Sequence, residues 1–220
     1  MDNKINVYLV RHGQTYFNLF GRFQGWSDIE LTDKGIEDAR DAGERLKRVH
    51  FDDAYSSDLS RAYDTAQYIL NANKNESPAH PTTLRDFREI FFGTFDGLPS
   101  EEVVSTIDPN LTSYNKLIEK YGSDETLNLF KEKDPNHLAE NSSEFWKRIN
   151  HGFAELVETH PVGGNILLVA HGSVIRALGA RYKDPKLATH PIGNGAVTLI
   201  EIDQYNNLEI VDFNDETKNW

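Results

Sequence analysis

Two short apolar runs, each finishing on the same pair of residues, constrain this chain most. Residues 5–10 lead into Arg11-His12-Gly13, and residues 166–170 lead into His171-Gly172. Short apolar runs with a β-branched bias read as parallel strands buried on both faces. In an open parallel sheet the reactive crevice lies outside the carboxyl ends of the strands. If the two runs are neighbouring strands, His12 and His171 face each other there with Arg11 alongside. That is a place for an anion, foremost a phosphoryl group.

Each of these residues alone has an ordinary reading. A histidine at a strand end is usually a satisfied polar residue, and a lone arginine a surface ion-pair partner. The conjunction carries the weight: arginine next to histidine, a glycine permitting close backbone approach, and the same ending on a second buried strand. The balance of charge agrees. The 220 residues carry a net charge of −12 and a pI of about 5.1, which argues against nucleic acid or an anionic membrane surface as partner. An acidic body that binds phosphate must gather its cations locally, and Arg11 and Arg61 are the candidates.

Cysteine is absent, which excludes a disulfide framework and thiolate-based phosphatase chemistry. Met1-Asp2-Asn3-Lys4 runs straight into the first strand, without a signal-peptide pattern, and no run is long enough to span a bilayer. A cytoplasmic location and no membrane association are therefore expected.

The alternation of strand and helix signals predicts an α/β three-layer sandwich, a mostly parallel central sheet with a helical lid inserted over the strand C-terminal ends. One domain is expected over residues 1–220. Residues 13–31 read as an irregular loop. Thr32 caps a helix to about Val49, with Ile36, Ala39, Leu46 and Val49 on one face. A short strand at 53–57 precedes a helix at 59–72, whose first turn holds Arg61 where backbone N–H groups also favour an anion. Between about 85 and 141 the alternation stops, and a polar stretch with Pro99, Pro109 and Pro135 reads as the lid. Asn141-Ser142-Ser143-Glu144 resembles a capping box opening a helix to about 160. A helix at 173–182 and strands at 196–202 and 208–213 complete the pattern.

The ordered motifs resemble the histidine phosphatase superfamily in its phosphoglycerate-mutase-like branch, over nearly the whole length. They are Leu9-Val10-Arg11-His12-Gly13-Gln14-Thr15 with Asn18, then Gln24-Gly25-Trp26, then Ser57-Asp58-Leu59-Ser60-Arg61-Ala62 with Thr65-Ala66. Glu89 with Phe92-Gly93 and Asp96-Gly97 follows, and Ala170-His171-Gly172 closes the set. The resemblance implies that His12 is the nucleophile that becomes a phosphohistidine. It implies that Arg11, Arg61 and His171 hold the phosphoryl oxygens and that Glu89 gives and then takes a proton. Thr15, Asn18, Gln24, Gly25, Phe92 and Gly172 would belong to the substrate pocket. No metal and no cofactor is expected, since two arginines and a second histidine supply the fixed positive charge that phosphoryl transfer needs.

Phosphatases of this kind hand the phosphoryl group to water, whereas mutases return it to a second hydroxyl. Mutase-type relatives carry a paired arginine in the lid and a tyrosine where Phe92 stands. Here no arginine lies between Arg88 and Arg148, and the lid's cations are Lys116, Lys120, Lys131, Lys133 and Lys147 among many acids. A phosphatase acting on a small phosphorylated metabolite is therefore favoured over a cofactor-dependent phosphoglycerate mutase. The same residues leave open a non-catalytic phosphate-binding module and a metallohydrolase with His12, His171 and Glu89 as ligands. The aromatics Phe20, Phe23, Trp26, Phe91, Phe92 and Phe95 read mainly as packing.

Overall fold

The computed structural model of the chain describes residues 4–220, so the Met1 to Asn3 lead-in lies outside the described residues. In chain order the elements are β1 (Ile5–Arg11), α1 (Tyr16–Leu19), α2 (Asp33–Leu46), β2 (Asp53–Ser56), α3 (Ser60–Ala72) and β3 (Thr82–Thr83). Three helices follow, α4 (Ser100–Ile107), α5 (Tyr114–Tyr121) and α6 (Ser123–Lys133). The long α7 (Ser142–Thr159) leads to β4 (Gly164–Ala170), α8 (Gly172–Tyr182), β5 (Val197–Ile202) and β6 (Leu208–Asp215). The sheet order is β3-β2-β4-β1-β5-β6; the first four strands are parallel, β5 runs antiparallel to β1, and β6 antiparallel to β5.

The two histidine-ended strands are neighbours. β1 pairs with β4 with Arg11 opposite Ala170, and the His12 N–H donates to the Ala170 carbonyl at 3.0 Å. Alternation along these strands explains why both runs are apolar throughout. Ile5, Val7, Leu9, Ile166, Leu168 and Ala170 face a core shared with Phe145, Ile149, Phe153 and Leu156 of α7 and Val174, Ile175 and Leu178 of α8. Val10, Leu167 and Val169 face the opposite core with Ala42 and Leu46 of α2 and Ala62, Ala66 and Ile69 of α3. Helices on both faces leave the strand ends as the one edge where polar side chains can converge.

Local signals account for most boundaries. The Thr32 side chain accepts from the Gly35 N–H and starts α2, and the Asn141–Glu144 capping box starts α7. α2 stops at Leu46, and Val49 is buried from the loop beyond it; Ile36 is only half-buried. The 13–31 loop contains α1, capped by Thr15 with Asn18, too short to carry an apolar stripe. β3 is likewise a two-residue pairing of exposed threonines with Tyr55 and Ser56.

Residues between β3 and α7 cover the strand ends but are not loosely attached. Phe130 of α6 is fully buried, with ring centroids 5.4 Å from Phe23, 5.2 Å from Phe92 and 5.8 Å from Phe95. Truncating such a ring to alanine typically costs about 3–5 kcal/mol. Phe20, by contrast, is 63% exposed and packs in no core, against the expectation for that ring. Among the described residues, no helix is long and apolar enough to cross a membrane.

The loop after His12 rests on bare backbone. A Cβ placed on Gly35 would stand 2.0 Å from the Gln14 carbonyl oxygen, and one on Gly13 would stand 2.1 Å from the Gly35 oxygen. Helix propensity alone favours Gly35→Ala by about 1 kcal/mol. The overlap is with main chain and cannot relax by a rotamer change, so we expect net destabilisation of about 1–3 kcal/mol in urea unfolding. A gain in stability would show that the two backbones are free to separate.

Candidate active site

His12 and His171 stand at the carboxyl ends of β1 and β4, with ring centroids 5.1 Å apart. Both are almost wholly buried. The Nδ1 of His12 lies 2.7 Å from the Gly13 carbonyl oxygen, which can only accept, so Nδ1 carries the hydrogen. Nε2 then keeps its lone pair, and the Arg61 Nε–H donates to it at 3.3 Å. Burial, reinforced by the charges of Arg61 and Arg11, holds His12 neutral well below the usual histidine range. Burial, again with Arg61, does the same for His171. His171 is thus a neutral donor in the free protein, a correction to the expectation that it adds positive charge.

Arg61 is fully buried in the first turn of α3 and is oriented by two carbonyls, that of Ser27 at 2.9 Å and that of Gly25 at 2.7 Å. Those carbonyls are themselves fixed by Asp96, whose carboxylate accepts from the N–H groups of Gly25, Trp26 and Ser27 at 3.0, 2.9 and 3.0 Å. A Cβ at Gly25 would meet the Ile90 carbonyl at 2.3 Å, so glycine is required for this close approach. Arg11 donates from Nη1 to the Ile192 carbonyl. Burial, then the charge of Arg176, lowers Arg11 to about 10, and burial lowers Arg61 to about 10. Both stay cationic at neutral pH.

Glu89 is pinned at backbone and side chain. Its carbonyl accepts from Trp26 Nε1 at 2.8 Å and Arg148 Nη2 at 3.0 Å; its carboxylate accepts from the Ile90 and Ser173 N–H groups at 2.9 and 3.0 Å. Arg148 is held by Glu140 through two bonds of 2.6 and 2.8 Å, anchoring the 86–89 backbone to α7. Trp26 stacks on Phe91 at 4.6 Å.

Beside these groups lies a cavity of about 380 Å³, lined in part by Arg11, Asn18, Gln24, Glu89, Phe92 and Gly172. His12, Arg61 and His171 do not line it themselves; His12 and His171 adjoin it through their chain neighbours Arg11 and Gly172, and Arg61 is bonded to His12. Thr15 is fully buried and does not line the cavity; its hydroxyl donates to Gln24 Oε1, which Asn18 Nδ2 also approaches at 3.5 Å. With its oxygen thus engaged, Gln24 turns a buried Nε2 that has no hydrogen-bond partner. Arg11 Nε and both ring nitrogens of His171 are equally unpartnered. Buried polar atoms are normally satisfied. Of the six such side-chain atoms among the described residues, four belong to residues that the sequence motifs single out.

Sequence reasoning missed several residues here. Arg176, Ser173, Tyr114, Asn115, Arg22 and Ile192 also line the cavity. Arg176 was within reach, because it sits four residues after Gly172 on α8 and so shares its helix face. Tyr114 and Asn115 open α5, and no local pattern marks them as facing the site. The lid lysines, weighed for a second anion, do not line the cavity: Lys120 pairs with Asp108, Lys131 with Glu144 and Lys133 with Glu132. The trio of ligand-type side chains whose donor atoms gather within 4.8 Å among the described residues is Asp86, His151 and Glu155, which shares no member with the His12, His171 and Glu89 set.

Fold and site together set two strand-end histidines and two arginines beside one cavity, an arrangement suited to an anion. The sequence profile of the histidine phosphatase superfamily (branch 1) matches residues 7–216, and the chain belongs to that superfamily. It is 32% identical over 214 residues to a 2,3-bisphosphoglycerate-dependent phosphoglycerate mutase of Cytophaga hutchinsonii, covering 94% of this chain and 92% of the relative. It is also 32% identical over 198 residues to the uncharacterized phosphatase PhoE of Bacillus subtilis, covering 89% and 87%. The structure of phosphoglycerate mutase from Bacillus anthracis str. Sterne superposes with a TM-score of 0.86 at 30% identity, covering 98% of this chain and 95% of that one.

The buried neutral histidines set a pH dependence. The unfolded chain takes up protons at these residues below about pH 6.5, whereas the fold refuses them. More protons bound in the unfolded state mean that stability falls as pH drops through that range. Urea unfolding between pH 7.5 and 5 should show a shallower decline for His171→Gln than for the parent protein. Parallel declines would show that His171 is protonated within the fold.

Proposed function

We propose that this protein is a phosphomonoester hydrolase that works through a phosphohistidine intermediate on a small phosphorylated metabolite. The observation that carries the reading is the state of His12: Nδ1 is bound to the Gly13 carbonyl, and Nε2 is neutral, with its lone pair directed at Arg61 Nε. A neutral imidazole nitrogen is the competent nucleophile, and here it is held so by burial and adjacent cations.

In the first step His12 Nε2 bonds to phosphorus while the bond from phosphorus to the ester oxygen breaks. A proton from Glu89 goes to the departing alkoxide. Arg11, Arg61 and His171 donate to the equatorial oxygens, where charge gathers in a loose transition state. Gln24 Nε2 and the Arg11 Nε–H stand ready as further donors. In the second step water bonds to phosphorus, its proton passes to Glu89, and the bond from phosphorus to nitrogen breaks to release phosphate.

Transfer to water over transfer to a second hydroxyl is supported by the lid. A mutase must retain a doubly phosphorylated intermediate, and the cations that the lid could offer it are paired with acids or exposed on the outer surface. Phosphoglycerate mutase activity is the competing reading, favoured by the similarity to relatives so named. Incubation with labelled phosphoester should leave acid-labile, base-stable phosphate on the parent protein and none on His12→Ala. Inorganic phosphate should then accumulate in step with the alcohol. Label on another residue ends the covalent-histidine mechanism, and conversion of 3- to 2-phosphoglycerate without phosphate release favours the mutase.

The role given to Glu89 has its own signature. Glu89→Gln should slow phosphohistidine formation from an alkyl ester by about 10²–10⁴-fold, the usual worth of a positioned acid. Formation from p-nitrophenyl phosphate should suffer far less, because nitrophenolate leaves unaided. Equal losses in rapid-mixing measurements of the first step would make Glu89 a positioning residue.

A further inference from the structure

Arg176 has no part in the steps above, yet its surroundings are those of a recognition group. It lines the cavity with Arg11 and Glu89. Its Nη1 donates to Asn115 Oδ1 at 3.2 Å and its Nη2 to Ser173 Oγ at 3.3 Å. Among the described residues no carboxylate lies within ion-pair distance of it, although Arg88 and Arg148, which flank Glu89 in the structure, each have one. Both acceptors of Arg176 are neutral, so its charge is oriented without being compensated. That charge is felt at Arg11, where after burial it does most to loosen the proton. Three arginines thus line one cavity in a protein whose net charge is −12: Arg11, Arg176 and the exposed Arg22, which donates to the Gly97 carbonyl.

The support for Arg176 comes from both sides of the cavity. From α8 it shares a face with Gly172, whose neighbour His171 belongs to the phosphoryl site. From α5, Asn115 is itself oriented: its Nδ2 donates to the Thr189 carbonyl at 3.1 Å, which leaves Oδ1 to receive Arg176. The guanidinium carbon lies 5.3 Å from the centroid of the Tyr114 ring, so the plane of the fork is packed as well as bonded. Tyr114 also restores a hydroxyl to the neighbourhood of Phe92, its ring standing 6.3 Å away at 89°. Burial raises that phenol to about 12, so it remains a donor.

We infer that Arg176 is the specificity-determining residue of this cavity: its fork, set by Asn115 from the lid side, receives a second anionic group of the substrate, a carboxylate, while the phosphoryl group occupies the histidine site. This rests on the hydrolase reading, and it moves the search for a second cation from the lid to α8. A carboxylate matches the planar fork through two parallel N–H···O bonds, whereas a hydroxymethyl group in its place leaves the cation unmatched.

The test compares two esters on one three-carbon skeleton, 3-phosphoglycerate and glycerol 3-phosphate, bound at equilibrium to full-length His12→Ala protein by titration calorimetry. The carboxylate ligand should bind about 10- to 100-fold tighter, the range that a charge-assisted hydrogen bond supplies. Arg176→Gln in the same background should remove most of that ratio, and Arg176→Lys should restore part of it. Asn115→Ala should reduce it from the lid side. In the parent catalytic background the ratio of kcat/KM values should move with the binding ratio. A preference that survives Arg176→Gln, or equal weakening of both ligands, overturns the assignment. If 2,3-bisphosphoglycerate depends on Arg176 and 3-phosphoglycerate does not, the second anion is a phosphate and the carboxylate assignment fails. Absence of ester hydrolysis by the parent protein would refute the hydrolase reading alone, since the binding ratio is read without turnover.

Discussion

β1 and β4 lie side by side in parallel with Arg11 opposite Ala170, and the next residue of each chain segment is a histidine. The hydrogen bond from the His12 N–H to the Ala170 carbonyl extends the ladder one step beyond the strands. Every other group of the site is arranged around that pair. α3 brings Arg61 to His12 Nε2, the Gly25–Ser27 loop steers Arg61, and Asp96 fixes the loop. A one-residue slip of register would invert the alternation of both strands and expose their apolar faces to the wrong core. Burial of the sheet on both sides therefore defends the geometry of the site as well as the fold.

The electrostatic design follows from the same burial. Arg61 and two histidines are removed from water, with Arg11 half-buried beside them, an arrangement that would be costly if all four were charged. The cost is limited because the imidazoles remain neutral and carbonyls meet the guanidinium groups. Those dipoles are already in place before an anion arrives, which suits the reaction proposed above, where charge develops on phosphorus oxygens.

How much of this could be read from the chain depends on the range of the interaction. The histidine strands, the Asn141 capping box and the position of Arg61 in the first turn of α3 are written in periodicity and short spacings, and the structure has them so. Thr15, Asn18 and Gln24 are near one another in sequence, yet only the folded arrangement reveals that Thr15 stands behind Gln24 and turns its amide. Asp96 stands in one of the motifs, but nothing local shows that it serves a loop 70 residues away. Tyr114 and Asn115 reach the cavity because three helices fold back over the strand ends, a long-range outcome that no window of sequence encodes. Arg176 lies outside the lid, where mutase-type relatives carry their extra cations, although its spacing from Gly172 on one helix is legible in the sequence.

The placement of Glu89 and Asp96 bears on how such an enzyme could be remade. Both precede α4, and both are tied to the body, Glu89 through Ser173 and Trp26 and Asp96 through the 25–27 loop. The interchangeable portion of the cover therefore begins after Gly97. A chimera that exchanged residues 98–139 between relatives would keep Glu89, the Glu140–Arg148 pair and the Arg61 scaffold while replacing Tyr114, Asn115 and Phe130, the ring on which Phe23, Phe92 and Phe95 pack. A junction placed about ten residues earlier would cut through the machinery itself.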